Sequence, residues 1–127
     1  MEAIHEAPGA PKPIGAYSAA VKAGGFVFCS GQIALHPEKA ELVGNDVETQ
    51  LRQVLQNLTA VLKEAGSGWD RVVMTTTFLT DIAHGKIVNE IYGQVVKQGS
   101  APARQTVAVK ALPMGALVEI SVIAAAG

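Results

Sequence analysis

The chain carries a single cysteine, Cys29, so no disulfide can close within it and its core must come from apolar packing. The N-terminus shows no charged segment followed by an apolar run, and with the lone thiol this sets the expectation of a cytosolic protein. No apolar stretch approaches the roughly 20 residues that a membrane helix requires, which argues against a membrane partner. Aromatic residues make up only 5 % of the chain, Lys and Arg form no run, and the formal net charge is −1. Stacking platforms and a basic stripe are therefore both missing, and nucleic acid is disfavoured as a partner. The three histidines, His5, His36 and His84, fall without metal-ligand spacing, and neither a phosphate-cradling glycine loop nor a nucleophile elbow occurs. Zinc and serine-triad chemistry are disfavoured, and any reaction is expected to need no cofactor.

Apolar residues are what the chain has in excess: 49 % of the total, with a mean hydropathy of +0.27. Without a membrane span, such apolarity points to a protein partner. At 127 residues the length suits one domain over 1–127. Residues 1–13 hold three of the six prolines and no periodicity, so they read as a leader lying over the surface. Strand-like stretches at 17–22 and 26–30 flank Gly24-Gly25, a hairpin-turn pair, and a short apolar piece at 32–35 follows. Val47, Leu51, Val54, Leu55, Leu58, Val61, Leu62 and Ala65 trace one helical stripe. Asn45 or Asp46 can cap it, with Glu48 placed to reach back to Asn45 in a capping box, and Gly66 fits its C-terminal exit. Residues 72–80 are β-branched and aromatic, a central strand. Asp81 then caps a second amphipathic helix with Ile82, Ile87, Val88, Ile91, Tyr92, Val95 and Val96 on one face, broken by Gly99 and Pro102. Two final strands, 106–112 and 117–124, are joined by the turn-forming Pro113-Met114-Gly115-Ala116.

The expected architecture is α+β, a mixed sheet in the order β-β-β-α-β-α-β-β with two helices on one face. The last strand is apolar on both sides, because Val118, Ile120 and Val122 alternate with Leu117, Ser121 and Ile123. With no helices left to cover the second face, another copy of the same sheet is the economical cover, in a closed symmetric oligomer. Pattern alone does not choose between dimer and trimer. Cys29, inside an apolar run, reads as a small buried hydrophobe.

Two charged residues stand out. Glu119 interrupts the apolar terminal strand, where a carboxylate is costly to bury. Either it lies on an edge strand in water, or it sits in a partly desolvated cleft at the subunit contact and orients water or moves a proton. Arg104, at the end of a loop containing Gly99, Ser100 and Pro102, offers a two-pronged donor set for a carboxylate, unless it is a solvated loop residue or a partner for Glu119. Tyr17 and Ser30, on adjacent hairpin strands, can bring hydroxyls to the same place.

Taken in order, Pro13-Ile14-Gly15-Ala16-Tyr17-Ser18, Ser30-Gly31-Gln32, Thr76-Thr77-Phe78-Leu79 with Asp81, Val88-Asn89-Glu90-Ile91-Tyr92, Pro102-Ala103-Arg104 and Leu112-Pro113 before Val118-Glu119-Ile120 resemble the reactive-intermediate-deaminase (Rid/YjgF) family from residue 13 to 125. The resemblance implies a chorismate-mutase-like subunit in a homotrimer, strands forming a central barrel, helices outside and ligand clefts between subunits. It implies hydrolysis of 2-aminoacrylate- and 2-aminocrotonate-type enamines and imines to 2-oxo acids and ammonia. By position, Arg104 would hold the substrate carboxylate and Glu119 would activate water. Tyr17, Ser30 and Gly31 would shape the pocket, with Asn89 and Thr106 beside it. Ala16 stands where the family usually has proline, Ala19 where glutamine is common, and Thr106 where its best-studied subgroup carries cysteine; any thiol-dependent secondary activity is thereby in doubt. A non-catalytic 2-oxo-acid sensor and an RNA-cleaving translation inhibitor are the rival functions. Retention of Glu119 argues against the first, and charge and aromatic content against the second.

Overall fold

In the computed structural model, which describes residues 1–97 and 99–126, one six-stranded sheet carries two helices on one face. The strands are β1 (Glu2–Ile4), β2 (Ala20–Ala23), β3 (Phe26–Gln32), β4 (Val72–Leu79), β5 (Ala103–Ala108) and β6 (Val118–Ala125), with helix α1 (Val47–Glu64) after β3 and α2 (Gly85–Tyr92) after β4. They lie in the order β1-β2-β3-β6-β4-β5. All neighbours are antiparallel except β4 and β5, which are parallel. A parallel pair needs a crossover, and the second helix supplies it.

The long helix follows from its stripe: Leu51, Val54, Leu58, Val61 and Leu62 are all fully buried against the sheet. Asp46 is the cap, its carboxylate accepting from the Thr49 N–H at 3.0 Å. Glu48, expected in a capping box with Asn45, instead pairs with Arg52 one turn on. At the other end Gly66, at φ +77°, donates to the Lys63 carbonyl and Ser67 to that of Leu62, closing the helix in a Schellman motif. Two polar residues on the buried side tie α1 to the segments that follow β3 and precede β6. Asn57 donates to the Ile33 and Leu35 carbonyls, and Gln50 accepts from the Leu117 N–H while donating to Gly44. These bonds fix the segments that enter and leave the Glu119 region.

Several expectations are corrected. The leader is partly sheet: β1 pairs with β2, and Ala7 and Ala10 enter the core. The hairpin strand begins at Ala20, not at residue 17, and residues 32–35 form no separate strand. Gln32 ends β3, and only Leu35 makes an isolated bridge, to Leu42. Asp81 accepts from the Ala83 N–H at 2.9 Å and so caps a 3-10 turn, Ile82–His84, that precedes α2. The tighter turn shifts the helical phase, and α2 ends at Tyr92, leaving Ile82 and Val95 exposed where one continuous face was expected. The fifth strand starts at Ala103, earlier than residue 106. Its Arg-Gln-Thr sequence carries no apolar signal because it is an edge strand, exposed along most of its length. The turn-bearing segment at 113–116 joins strands that are not adjacent, since β4 lies between β6 and β5.

The sheet face opposite the helices is uncovered within the chain. Phe26, Phe28 and Val107 remain 42 %, 45 % and 41 % exposed, and Phe26 and Phe28 lie ring against ring at 6.5 Å. Along β6, Val118, Ile120 and Val122 are buried toward the helices, whereas Glu119, Ser121 and Ile123 alternate onto the open face. The two-sided apolarity read from the sequence is therefore present. Among the described residues, no helix is long and apolar enough to cross a membrane.

Candidate active site

The residues singled out in the sequence gather in two places. The first surrounds Glu119. Because β6 sits between β3 and β4, this is not an edge carboxylate open to water on all sides. Its neighbour β3 changes register between Cys29 and Gln32, and Gly31 falls in that irregularity. A Cβ on Gly31 would stand 2.7 Å from Glu119 Oε2 and 2.9 Å from its Cδ, so the carboxylate lies against a backbone that only glycine leaves free. Together Glu119, Gly31, Tyr17, Gln32 and Pro113 help line a cleft of about 60 Å³. Desolvation raises the Glu119 carboxyl above its ordinary value, and among the described residues no cation or hydrogen-bond donor offsets it.

Tyr17 and Ser30 flank this cleft in ways the sequence did not disclose. Tyr17 lies in the turn before β2, not on a strand. Its hydroxyl accepts from the Ile14 N–H at 3.2 Å, and the residue as a whole is 45 % exposed. Ser30 donates its hydroxyl to the Ser18 carbonyl at 2.7 Å, so its proton is already engaged and it pins the loop that carries Tyr17. Of these groups, only the phenol retains an uncommitted proton.

Arg104 anchors the second place. It stands on β5 opposite Thr75 of β4, and its guanidinium carbon lies 5.1 Å from the centre of the Tyr92 ring. Arg104, Asn89 and Tyr92 border a recess of about 370 Å³. Thr106 follows two residues along β5, paired with Thr77, and alternation puts it on the same face as Arg104. The buried Thr77 hydroxyl has no partner among the described residues.

The two places lie on opposite faces of the sheet. Glu119 pairs with Phe78 and Arg104 with Thr75, and residues an odd number apart on β4 point to opposite sides. Thr75 bonds Tyr92 on the helix side, which puts Arg104 there and Glu119 on the open side. Three residues along the strand and two strand spacings across also separate their Cα atoms by roughly 14 Å. Arg104 is thus not the partner of Glu119 within one chain.

The remaining candidates fall elsewhere. His5 follows β1, His36 accepts from the Glu38 and Lys39 N–H groups in a loop, and His84 lies in the 3-10 turn. Among the described residues no cluster of His, Cys, Asp or Glu is suited to a metal. Cys29 is buried, and desolvation pushes its thiol up to about 12, in keeping with a packing role.

The sequence model of the family described as Endoribonuclease L-PSP matches residues 7–126. A RutC family protein of Synechocystis is 51 % identical over 116 residues, covering 91 % of this chain and 89 % of the relative. Reactive Intermediate Deaminase A, chloroplastic, of Arabidopsis thaliana is 46 % identical over 115 residues, 91 % of this chain and 61 % of the relative. Among solved structures, the Rid-family protein YyfA of Yersinia pestis superimposes with a TM-score of 0.92 at 49 % identity, covering 96 % of this chain and 97 % of that one.

Proposed function

The chain belongs to the Endoribonuclease L-PSP family, which takes in the Rid and RutC proteins, and from that premise we propose that it is an imine deaminase acting on 2-imino acids at clefts between copies of itself. The observation that carries this reading is the Glu119 carboxylate, partly desolvated and laid against Gly31 in a cleft that also holds the Tyr17 phenol. Such a carboxylate is a better base than one in water, and it can face a neutral electrophile without a nucleophile of its own.

The reaction needs little else. An enamine such as 2-aminoacrylate tautomerises to its imine, whose carbon is already electrophilic. Glu119 accepts a proton from water as the water oxygen bonds to that carbon and returns it to the imine nitrogen, giving a neutral carbinolamine. Glu119 then takes the hydroxyl proton and passes it to the amino nitrogen as the C=O bond forms and the C–N bond breaks, releasing a 2-oxo acid and ammonia. Orientation and electrostatics carry such a step. Arg104 holds the substrate carboxylate through its fork of N–H donors, with Asn89 and Thr106 beside it. Since Arg104 and Glu119 occupy opposite faces of one sheet, one substrate meets both only where the Arg104 edge of one copy approaches the open face of the next. The exposed Phe26, Phe28 and Val107 supply the apolar surface for that contact, and a homotrimer is the assembly we propose.

The family's description names an RNA-cleaving activity. A net charge of −1 and three histidines on separate elements provide neither the phosphate contacts nor the paired acid and base of such a reaction. The deciding experiment supplies 2-iminobutanoate from a threonine dehydratase and follows its decay. Wild-type protein accelerates the decay, and Glu119→Gln, which keeps shape and loses the basic oxygen, is slower by roughly 10²- to 10⁴-fold. Wild-type turnover in that variant contradicts the proposal.

A further inference from the structure

Arg104 is unusual in how it is held. Among the described residues it has no carboxylate partner, since the ion pair found there joins Arg52 and Glu48. Its guanidinium instead rests over the Tyr92 ring. That ring is fixed from three directions before the arginine arrives. It is 4 % exposed, its hydroxyl shares a hydrogen bond of 3.0 Å with Thr75, and Trp69 meets it edge-on at 6.3 Å and 89°. Trp69 is itself tethered, its indole N–H donating to Thr59 at 2.9 Å. Thr75 is also the β4 residue in register with Arg104, so one hydrogen bond ties the platform to the strand beside the arginine's own.

The chemistry of this arrangement differs from that of an ion pair. A carboxylate partner would consume the N–H donors of Arg104 and neutralise its charge, leaving little for a ligand. An aromatic face attracts the cation through its quadrupole and uses no donor. We infer that Tyr92 is a positioning residue for substrate binding, a preset platform that restrains the Arg104 guanidinium while leaving its N–H edge free for an anionic carboxylate. The inference rests on the reading of Arg104 as the carboxylate anchor. It separates the roles within Tyr92: the ring face serves Arg104, and the hydroxyl serves the fold.

The test is a double-mutant cycle read by calorimetric binding of 2-oxobutanoate to the intact oligomer, with imine kinetics alongside. Arg104→Ala should abolish most of the binding. Tyr92→Leu, which keeps apolar bulk and removes the ring face, should weaken binding and raise KM about 3- to 30-fold, the range of a cation–π contact, with kcat changed less than about twofold. Tyr92→Met replaces it if the leucine variant does not assemble. Tyr92→Phe should keep affinity within about twofold while lowering the melting temperature through loss of the Thr75 bond. In the Arg104→Ala background, Tyr92→Leu should have no further effect on binding. Unchanged binding in Arg104→Ala overturns the anchor reading itself. Loss in Arg104→Ala with wild-type affinity in Tyr92→Leu overturns the platform alone, as does Tyr92→Phe losing as much affinity as Tyr92→Leu.

Discussion

Gly31→Ala makes the sharpest demand on the geometry around Glu119. The added methyl would lie 2.7 Å from Oε2, 2.9 Å from Cδ and 3.1 Å from Cγ, where ordinary contact begins at 3.4 Å. Restoring that contact moves the carboxylate oxygen by about 0.7 Å or more, since atoms at van der Waals range repel steeply when compressed. The backbone imposes no objection, because Gly31 is absent from the positive-φ residues of the chain. The atoms in the way belong to one flexible side chain, which can swing aside at little cost to folding. Stability should therefore change little, with the melting temperature within about 5 °C of wild type, whereas catalysis should suffer. A misplacement near 1 Å can cost about 10²-fold, and we expect kcat/KM for 2-iminobutanoate to fall roughly 30- to 100-fold with the oligomer intact. The assay is dehydratase-coupled imine decay beside thermal unfolding and light scattering. Gly31→Ala turning over like wild type, while Glu119→Gln is slow, would refute the claim that the position of this carboxylate matters.

Other consequences concern titration and reactivity. Burial raises the Glu119 carboxyl above the ordinary 4.5, and the base must be ionised to work, so the acid limb of kcat/KM should lie above 4.5 and vanish in Glu119→Gln. The same shift makes the ionised form costlier folded than unfolded. Wild type and Glu119→Gln should therefore melt alike below the ordinary glutamate range, and the variant should become the more stable as pH rises through the raised value; thermal scans across pH 3–8, roughly the span that brackets both forms, read this directly. Cys29, at about 12, holds almost no thiolate at pH 8, so a disulfide reagent should label it only after denaturation. Prompt labelling of the folded protein would contradict its buried placement.

Much of the fold was legible because its signals are periodic. The α1 stripe, the Gly66 exit and the alternation along β6 each reflect a single dominant preference, burial or positive φ. The elements misread are those whose placement depends on distant partners. β5 carries Arg104, Gln105 and Thr106 because an edge strand needs no apolar face, so its start was set by pairing with Met74 of β4 and not by local sequence. β1 forms for the same reason, on the free edge of β2. Of the site, Glu119 was visible as a charge in an apolar strand, and Gly31 only through resemblance. The support given by Asn57 and Gln50 was missed: both sit on the buried stripe of α1, and a polar residue at a core position of a helix was the available signal. The separation of Arg104 from Glu119 was hidden because it depends on the parity of two registers across β4, which no single segment encodes.

That separation allows a direct test of the shared site. Arg104→Ala and Glu119→Gln variants, each inactive alone, are mixed, unfolded and refolded together so that their chains assort at random. If each cleft takes Arg104 from one copy and Glu119 from its neighbour, an equal mixture places both intact residues in about a quarter of the clefts, by simple assortment in a closed ring. Imine hydrolysis should then return to about a quarter of the wild-type rate, with no recovery when the variants are mixed without exchange. Failure to recover activity in verified mixed oligomers would contradict a site built from two copies.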